Sequence, residues 1–239
     1  MAIPSRHRKI LTDEKWSEAF GRKANIDDIL AYILKHWQQL QIHPPADLLS
    51  TKSEPTITKF FGLSLRKNAR AAGISGYFIP ENPVADINEI KQELQSRGRT
   101  DLTYFSDNID PPLDFVFEFK KLKSKPGAKT SRLSYYKDGV RRFVNGIYGR
   151  EAEFGFMVAL VASSAEKPEI LHGLKQGIQV PDMESLLKMI KDGKGNTVVA
   201  PANSFKACHF ETSHGREHIV DCSDIVLGHI ILCHGVNSP

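Results

Sequence analysis

Apolar residues recur at helical spacing through Ile26, Ile29, Leu30, Ile33, Leu34 and Trp37. This predicts a helix from a cap at Asn25 or Asp27 to about Gln41, with one stripe that needs a partner surface. Residues 1–24 are polar and read as peripheral. Pro44, Pro45 and the Ser/Thr/Pro-rich residues 50–56 read as a connector, and a second helix is expected over about 56–72, stopped by Gly73. The period then changes. Residues 77–84 read as a strand, and 86–97 fit either a strand extension or a short helix. Gly98 to Phe105 and Leu113 to Lys120 show the alternation of strands, joined by a polar turn that holds Pro111 and Pro112.

Further along, Ser134 is placed to cap a helix with Tyr136, Val140, Phe143 and Ile147 inward and Lys137, Arg141 and Asn145 on another face. Arg142 follows Asp138 at the spacing of a helical ion pair. The nearly unbroken apolar run from 154 to 161 is what a central strand covered on both faces requires. An amphipathic helix over 181–192, closed by Gly193, and strands near 205–212 and 224–233 complete the pattern.

Composition narrows the class. With 239 residues, 41% apolar and 25% charged, the chain can build one large domain without staples. A net charge of +4 and a pI near 8.9 favour an anionic partner only weakly, so a grip on nucleic acid has to come from local clusters. Cys208, Cys222 and Cys233 form an odd set without a C-x-x-C pair, which argues against a secreted disulfide framework. The segment from Met1 to Lys9 has charge but no apolar h-region, and no run approaches a membrane span. The expected setting is cytoplasmic, with no membrane partner.

The candidate chemistry lies in Gly98-Arg-Thr-Asp-Leu-Thr-Tyr-Phe and Leu113-Asp-Phe-Val-Phe-Glu-Phe-Lys. In the second strand Phe115, Phe117 and Phe119 face one way, while Val116, Glu118 and Lys120 face the other. An acid and a base therefore lie side by side on a strand rich in Phe, at a desolvation cost that a partner or a divalent metal has to offset. A cross-strand ion pair of Asp101 with Lys120, leaving Glu118 solvated, is the plainer account of the same pattern.

Asp101, sixteen intervening residues, then Glu118-x-Lys120, resembles the signature of the PD-(D/E)XK superfamily, the restriction-endonuclease-like nucleases, with Thr100 in place of the usual proline. The resemblance covers roughly residues 50–165. It implies an α/β fold with an αβββαβ core on a mixed central sheet, here within residues 49–239, preceded by an N-terminal helical segment (1–48) and followed by C-terminal additions. It further implies a metal-dependent phosphodiester hydrolase acting on nucleic acid, most readily DNA, in a restriction or anti-phage setting. Asp101, Glu118 and the Phe119 carbonyl would hold Mg²⁺, or Mn²⁺ in its place. Lys120 would position water and, with its pKa lowered, help deprotonate it. Glu54, at the entrance of the second helix, matches an extra acid of the family; favourable charge at a helix N-terminus explains it equally. Glu81, Glu89 and Glu93 are rival acids that read as surface charges.

Lys121, Lys123, Lys125, Lys129 and Arg132 follow without one acid among them, a set that suits either a phosphate backbone or a solvated loop. Lys137, Arg141 and Tyr148 are further candidate substrate contacts, as are His214 and Arg216, which turn chemistry explains as well. His209, His214, His218, His229 and His234 crowd the last third among the cysteines, but the spacings lack the paired pattern of structural zinc. Alternatives to the enzyme are an inactive nucleic-acid-binding module and a subunit of a defence or repair assembly, the latter resting on the N-terminal stripe; a homodimer also fits.

Overall fold

The computed structural model describes residues 13–88, 93–108, 112–124, 126–220 and 222–235, with side chains except at 13–24, 86–88 and 93–95. Helix α1 (Asp13–Ile42) is longer than its apolar stripe, because the polar residues that precede the stripe continue the same helix. Its stripe is internal: Ile26, Ile29, Leu30, Ile33 and Trp37 are buried in one core with α2 (Glu54–Asn68) and the sheet. The Tyr32 hydroxyl donates to the Leu65 carbonyl at 2.9 Å, and the Trp37 indole donates to the Cys233 carbonyl at 2.8 Å. Ser53 caps α2 by accepting from the Thr56 N–H, and Gly73, in the left-handed region, ends the 3₁₀ turn that follows the helix.

Strands β1 (Tyr77–Pro80), β4 (Leu102–Ser106), β5 (Leu113–Leu122), β6 (Phe154–Val161), β7 (Met189–Ile190), β8 (Phe210–His214) and β9 (Ile225–Cys233) form one mixed sheet in the order β1-β4-β5-β6-β9-β8-β7. The ambiguous stretch between β1 and β4 is a separate hairpin of β2 (Pro83–Asn88) and β3 (Glu93–Arg99), and the first strand accordingly ends earlier than its sequence pattern predicts. β6 is parallel to both neighbours, β5 and β9, and Gly155 to Val161 are all buried. That placement explains its unbroken apolar run. On the first sheet face, Phe115, Phe117 and Phe119 pack toward α1 and α2; on the second, Val116 and Leu122 join the helices that follow β5.

Those helices differ from the expectation. The chain turns helical at α3 (Ala128–Ser134), behind Gly127 in the left-handed region, so Ser134 is not the cap. It then widens into a π-helical segment, Tyr135–Val140, before α4 (Arg141–Val144). Gly139 makes the close approach possible, since a Cβ there would sit 2.5 Å from the Met157 methyl on β6. The Ser134 hydroxyl donates to Asp138 at 2.8 Å. The wide turn changes the angular phase of the residues after it. Arg142 therefore leaves Asp138 and faces the sheet.

The last third departs in two places. The expected helix over 181–192 stops as α6 (Pro181–Leu186); Lys188 adopts a positive φ of 50° and the chain enters β7. An additional helix, α5 (Lys167–Ile178), buries Ile170, Leu174 and Ile178, a helical spacing that the sequence does contain. Among the described residues no helix is long and apolar enough to cross a membrane.

His214 and Arg216, expected to approach a phosphate, are wholly buried. Tyr135, His229, Thr212, His214 and the Leu187 carbonyl form one hydrogen-bonded chain with steps of 2.7–2.9 Å. The carbonyl accepts only, so His214 donates through Nδ1 and accepts at Nε2 from Thr212; Thr212 accepts from His229 Nε2, and His229 Nδ1 accepts from Tyr135. This assignment leaves both imidazoles neutral, in agreement with burial, which pulls His214 down to about 4 and His229 well below its ordinary value. Arg216 donates to the carbonyls of Ser223 (2.6 Å), Gly149 (2.8 Å) and Ala152 (2.7 Å), stitching two loops together. Arg216→Lys, which retains charge but not the planar fork, is expected to cost at least about 2 kcal/mol in urea unfolding, because buried acceptors lose their donors. An unchanged midpoint would contradict this role.

Candidate active site

β5 outruns its antiparallel neighbour. The pairing of β4 with β5 ends at Leu102 opposite Phe117, so residues Glu118 to Leu122 extend past β4 along that edge. Backbone N–H groups on an unpaired edge need acceptors. Two carboxylates provide them: Asp101 Oδ2 accepts from the Phe119 N–H at 2.8 Å, and Glu54 Oε2 accepts from the Lys121 N–H at 2.5 Å. Asp101 is positioned by being the residue just before β4, and Glu54 by standing in the first turn of α2. The helix-terminus account of Glu54 and its place beside Lys120 are thus both realised.

Thr100 holds Asp101 from behind. Its N–H donates to the Asn82 carbonyl at 2.9 Å, a bond proline has no hydrogen to make, and its hydroxyl lies 2.9 Å from that of Thr103. The departure from the usual proline therefore carries its own support.

Glu118 is the buried centre, with its side chain 1% exposed. Its Oε1 accepts from Lys120 Nζ at 2.7 Å and lies 3.5 Å from the Arg142 guanidinium, while Oε2 is buried with no partner. Lys120 Nζ also donates to Glu54 Oε1 at 3.2 Å and to the Phe119 carbonyl at 2.9 Å. The plainer account, an Asp101–Lys120 pair with Glu118 solvated, does not describe this geometry: Glu118 is enclosed, and Lys120 pairs with Glu118 and Glu54.

Burial, then the nearby charge of Asp101, raises Glu118 to about 7, with Lys120 and Arg142 pulling the other way. Burial alone would lower Lys120, but the carboxylates of Glu118 and Glu54 outweigh it and hold the ammonium above its ordinary value. Three acceptors thus hold Lys120 as an ammonium.

Arg142 joins the site without a signal in the sequence. Its guanidinium lies over the Tyr148 ring and donates to the Tyr148 hydroxyl, which donates to the Arg99 carbonyl at 2.7 Å. Tyr148, a candidate substrate contact, is buried as part of this brace. The rival acid Glu81 pairs with Lys59 and Arg99, each at 3.2 Å. Glu89 lies outside the described residues, as does the side chain of Glu93.

The basic set divides. Lys123, Lys129, Lys137 and Arg141 are exposed and Arg132 is half-buried, whereas Lys125 lies outside the described residues. Lys121 is corrected: its ammonium donates to the Ser50 and Lys52 carbonyls and pins the turn before α2. Beside the site, on the same sheet face, Thr103, Val116 and Tyr148 line a cleft of about 780 Å³ whose other walls include Asp114, Glu151, Glu153 and Arg150.

No family model, curated protein or solved structure matches the chain. The site therefore has to be read from its own atoms. Among the described residues no three His, Cys, Asp or Glu side chains form a ready metal cluster. The observation that bears on a cation is the buried, unpartnered Glu118 Oε2 beside the charge of Asp101. A hard divalent ion would compensate both carboxylates, so the donor set fits one.

Because Glu118 is raised from 4.5 to about 7 on folding, its contribution to stability is complete below 4.5 and is lost as pH rises through about 7. Glu118→Gln abolishes that titration. In EDTA, the melting temperature of the wild type minus that of Glu118→Gln is expected to fall between about pH 5 and about pH 8. A constant difference across that range would refute the raised value.

Proposed function

We propose that the protein is a metal-dependent nuclease that hydrolyses phosphodiester bonds in nucleic acid, with DNA as the first substrate to test. The observation that carries this reading is the convergence of Asp101, Glu118, Lys120 and Glu54 at the overhanging end of β5, with one Glu118 oxygen buried and unpaired. The order α2, β1, β4, β5, helix, β6 supports it as well, since it follows the αβββαβ pattern once the β2–β3 hairpin is taken as an insertion. Three of these four residues, Asp101, Glu118 and Lys120, are those that the resemblance implies.

Asp101 and Glu118 would hold Mg²⁺ or Mn²⁺, which supplies positive charge to offset the charge gathering on the phosphate. Lys120, kept as an ammonium, would orient the attacking water and donate hydrogen bonds to non-bridging oxygens. Glu54 fixes the Lys120 amine from the far side. Arg142, braced by Tyr148, restrains Glu118 through Oε1 and leaves Oε2 directed elsewhere. The exposed Lys123, Lys129, Lys137 and Arg141 give a phosphate backbone places to rest. The neighbouring cleft, with three carboxylates to one guanidinium, disfavours the backbone there.

An assembly subunit, suggested by the N-terminal stripe, loses that support because α1 spends the stripe inside its own chain. Plasmid and short oligonucleotides incubated with Mg²⁺, Mn²⁺ or EDTA should show cleavage only with metal. Asp101→Ala, Glu118→Gln and Lys120→Ala should each reduce the rate at least about 100-fold while the protein still melts cooperatively. Metal-independent binding without cleavage would favour the inactive binding module, and undiminished cleavage in all three variants would remove the assignment.

A further inference from the structure

A second place on the molecule has the makings of a binding site, and it shares no residue with the first. A groove of about 730 Å³ opens where β6 and β9 end, bordered by the last turns of α1 and by the turn that leads from β6 toward α5. The carboxyl ends of parallel strands are where ligands gather in α/β sheets, because helices that follow the strands begin there and point N–H groups at the crevice. Ser164 and Lys167 bring such a beginning to the groove wall. The 3₁₀ turn Ser164–Glu166 runs into the 12-residue α5, where the Lys167 N–H already donates to the Ser164 carbonyl, Pro168 has none to donate and Glu169 stands in the first turn, so the charge at the groove comes from side chains.

The charged residues that line the groove are cations, although Asp27 accepts from the Lys206 N–H at 3.2 Å and Glu166 adjoins Lys167. Lys35 from α1, Lys167 from α5 and Lys206 from the loop before β8 line it, and no carboxylate is among the described lining residues. Gln41, also in the wall, is only 4% exposed. Its Oε1 accepts from the Gly235 N–H at 3.0 Å, which commits the amide orientation and leaves Nε2 a buried donor without an acceptor. Leu34 and the exposed Ile42 supply an apolar wall. Three ammonium groups and an unpaired amide donor suit an anion rich in acceptor oxygens.

We infer that this groove binds a small phosphorylated ligand, with its phosphate toward Lys35, Lys167 and Lys206 and its apolar part against Leu34 and Ile42. The assignment does not depend on the nuclease reading. Titration calorimetry of the full chain with pyrophosphate and with ATP, in EDTA and at constant ionic strength, tests it. One saturable site is expected for at least one probe. Lys35→Ala/Lys206→Ala, altered at two exposed positions, should weaken it at least tenfold, and Gln41→Leu should weaken it to a lesser degree. Glu118→Gln should bind as the wild type does.

Absence of saturable binding to both probes overturns the inference, as does full retention of affinity in the double lysine variant. Loss of affinity in Glu118→Gln would overturn it too, by moving the anion to the other site. A 5′-phosphorylated oligonucleotide that binds more tightly than ATP, and loses this advantage in the double variant, would replace the small ligand with a nucleic-acid end.

Discussion

The overhang of β5 beyond β4 is the constraint from which the candidate site follows. A strand that continues past its partner exposes N–H groups at every second residue, and in a partly enclosed position these need acceptors. Here the acceptors are side chains, Asp101 for Phe119 and Glu54 for Lys121. Two acids from separate elements are thereby fastened to one edge of one strand. The alternation of that strand sends Glu118 and Lys120 to the same face, where they meet Asp101 from the bend before β4 and Glu54 from the first turn of α2.

Such a gathering of charge has to be balanced, and the balance explains the protonation pattern. Glu118 lies deepest and has only one oxygen engaged, so burial governs it. Lys120 is also buried but reaches Glu118, Glu54 and a backbone carbonyl, so attraction prevails over desolvation. Arg142 arrives from the helix side because a π-helical turn shifts its direction, and Tyr148 keeps it there. The excess of carboxylate over cation around Glu118 Oε2 is what makes a metal chemically reasonable at this position.

In the last third of the chain, by contrast, polar groups are spent on architecture. The chain of two imidazoles, a threonine and a tyrosine satisfies itself, and Arg216 serves three carbonyls. Buried polar groups that close on one another specify a single arrangement of strands and loops and leave nothing to offer a ligand. The groove at the ends of β6 and β9 differs in that the charged residues lining it are all cations.

Much of this was legible in the residues. The stripe of α1, the alternation of Phe115 to Lys120 and the apolar run of β6 each name an element and its buried side, because side-chain periodicity is a local property of the backbone. The same alternation put Glu118 and Lys120 on one face, whereas Asp101 entered the candidate site only through the resemblance of the spacing to a family signature. Position in space is not local. That Lys121 pins a turn, that His214 and Arg216 lie inside, that Arg142 turns from Asp138 to Glu118 and that residues 83–99 form their own hairpin depend on which surfaces meet. Contacts between residues distant in sequence decide these matters, and only the folded chain brings them together.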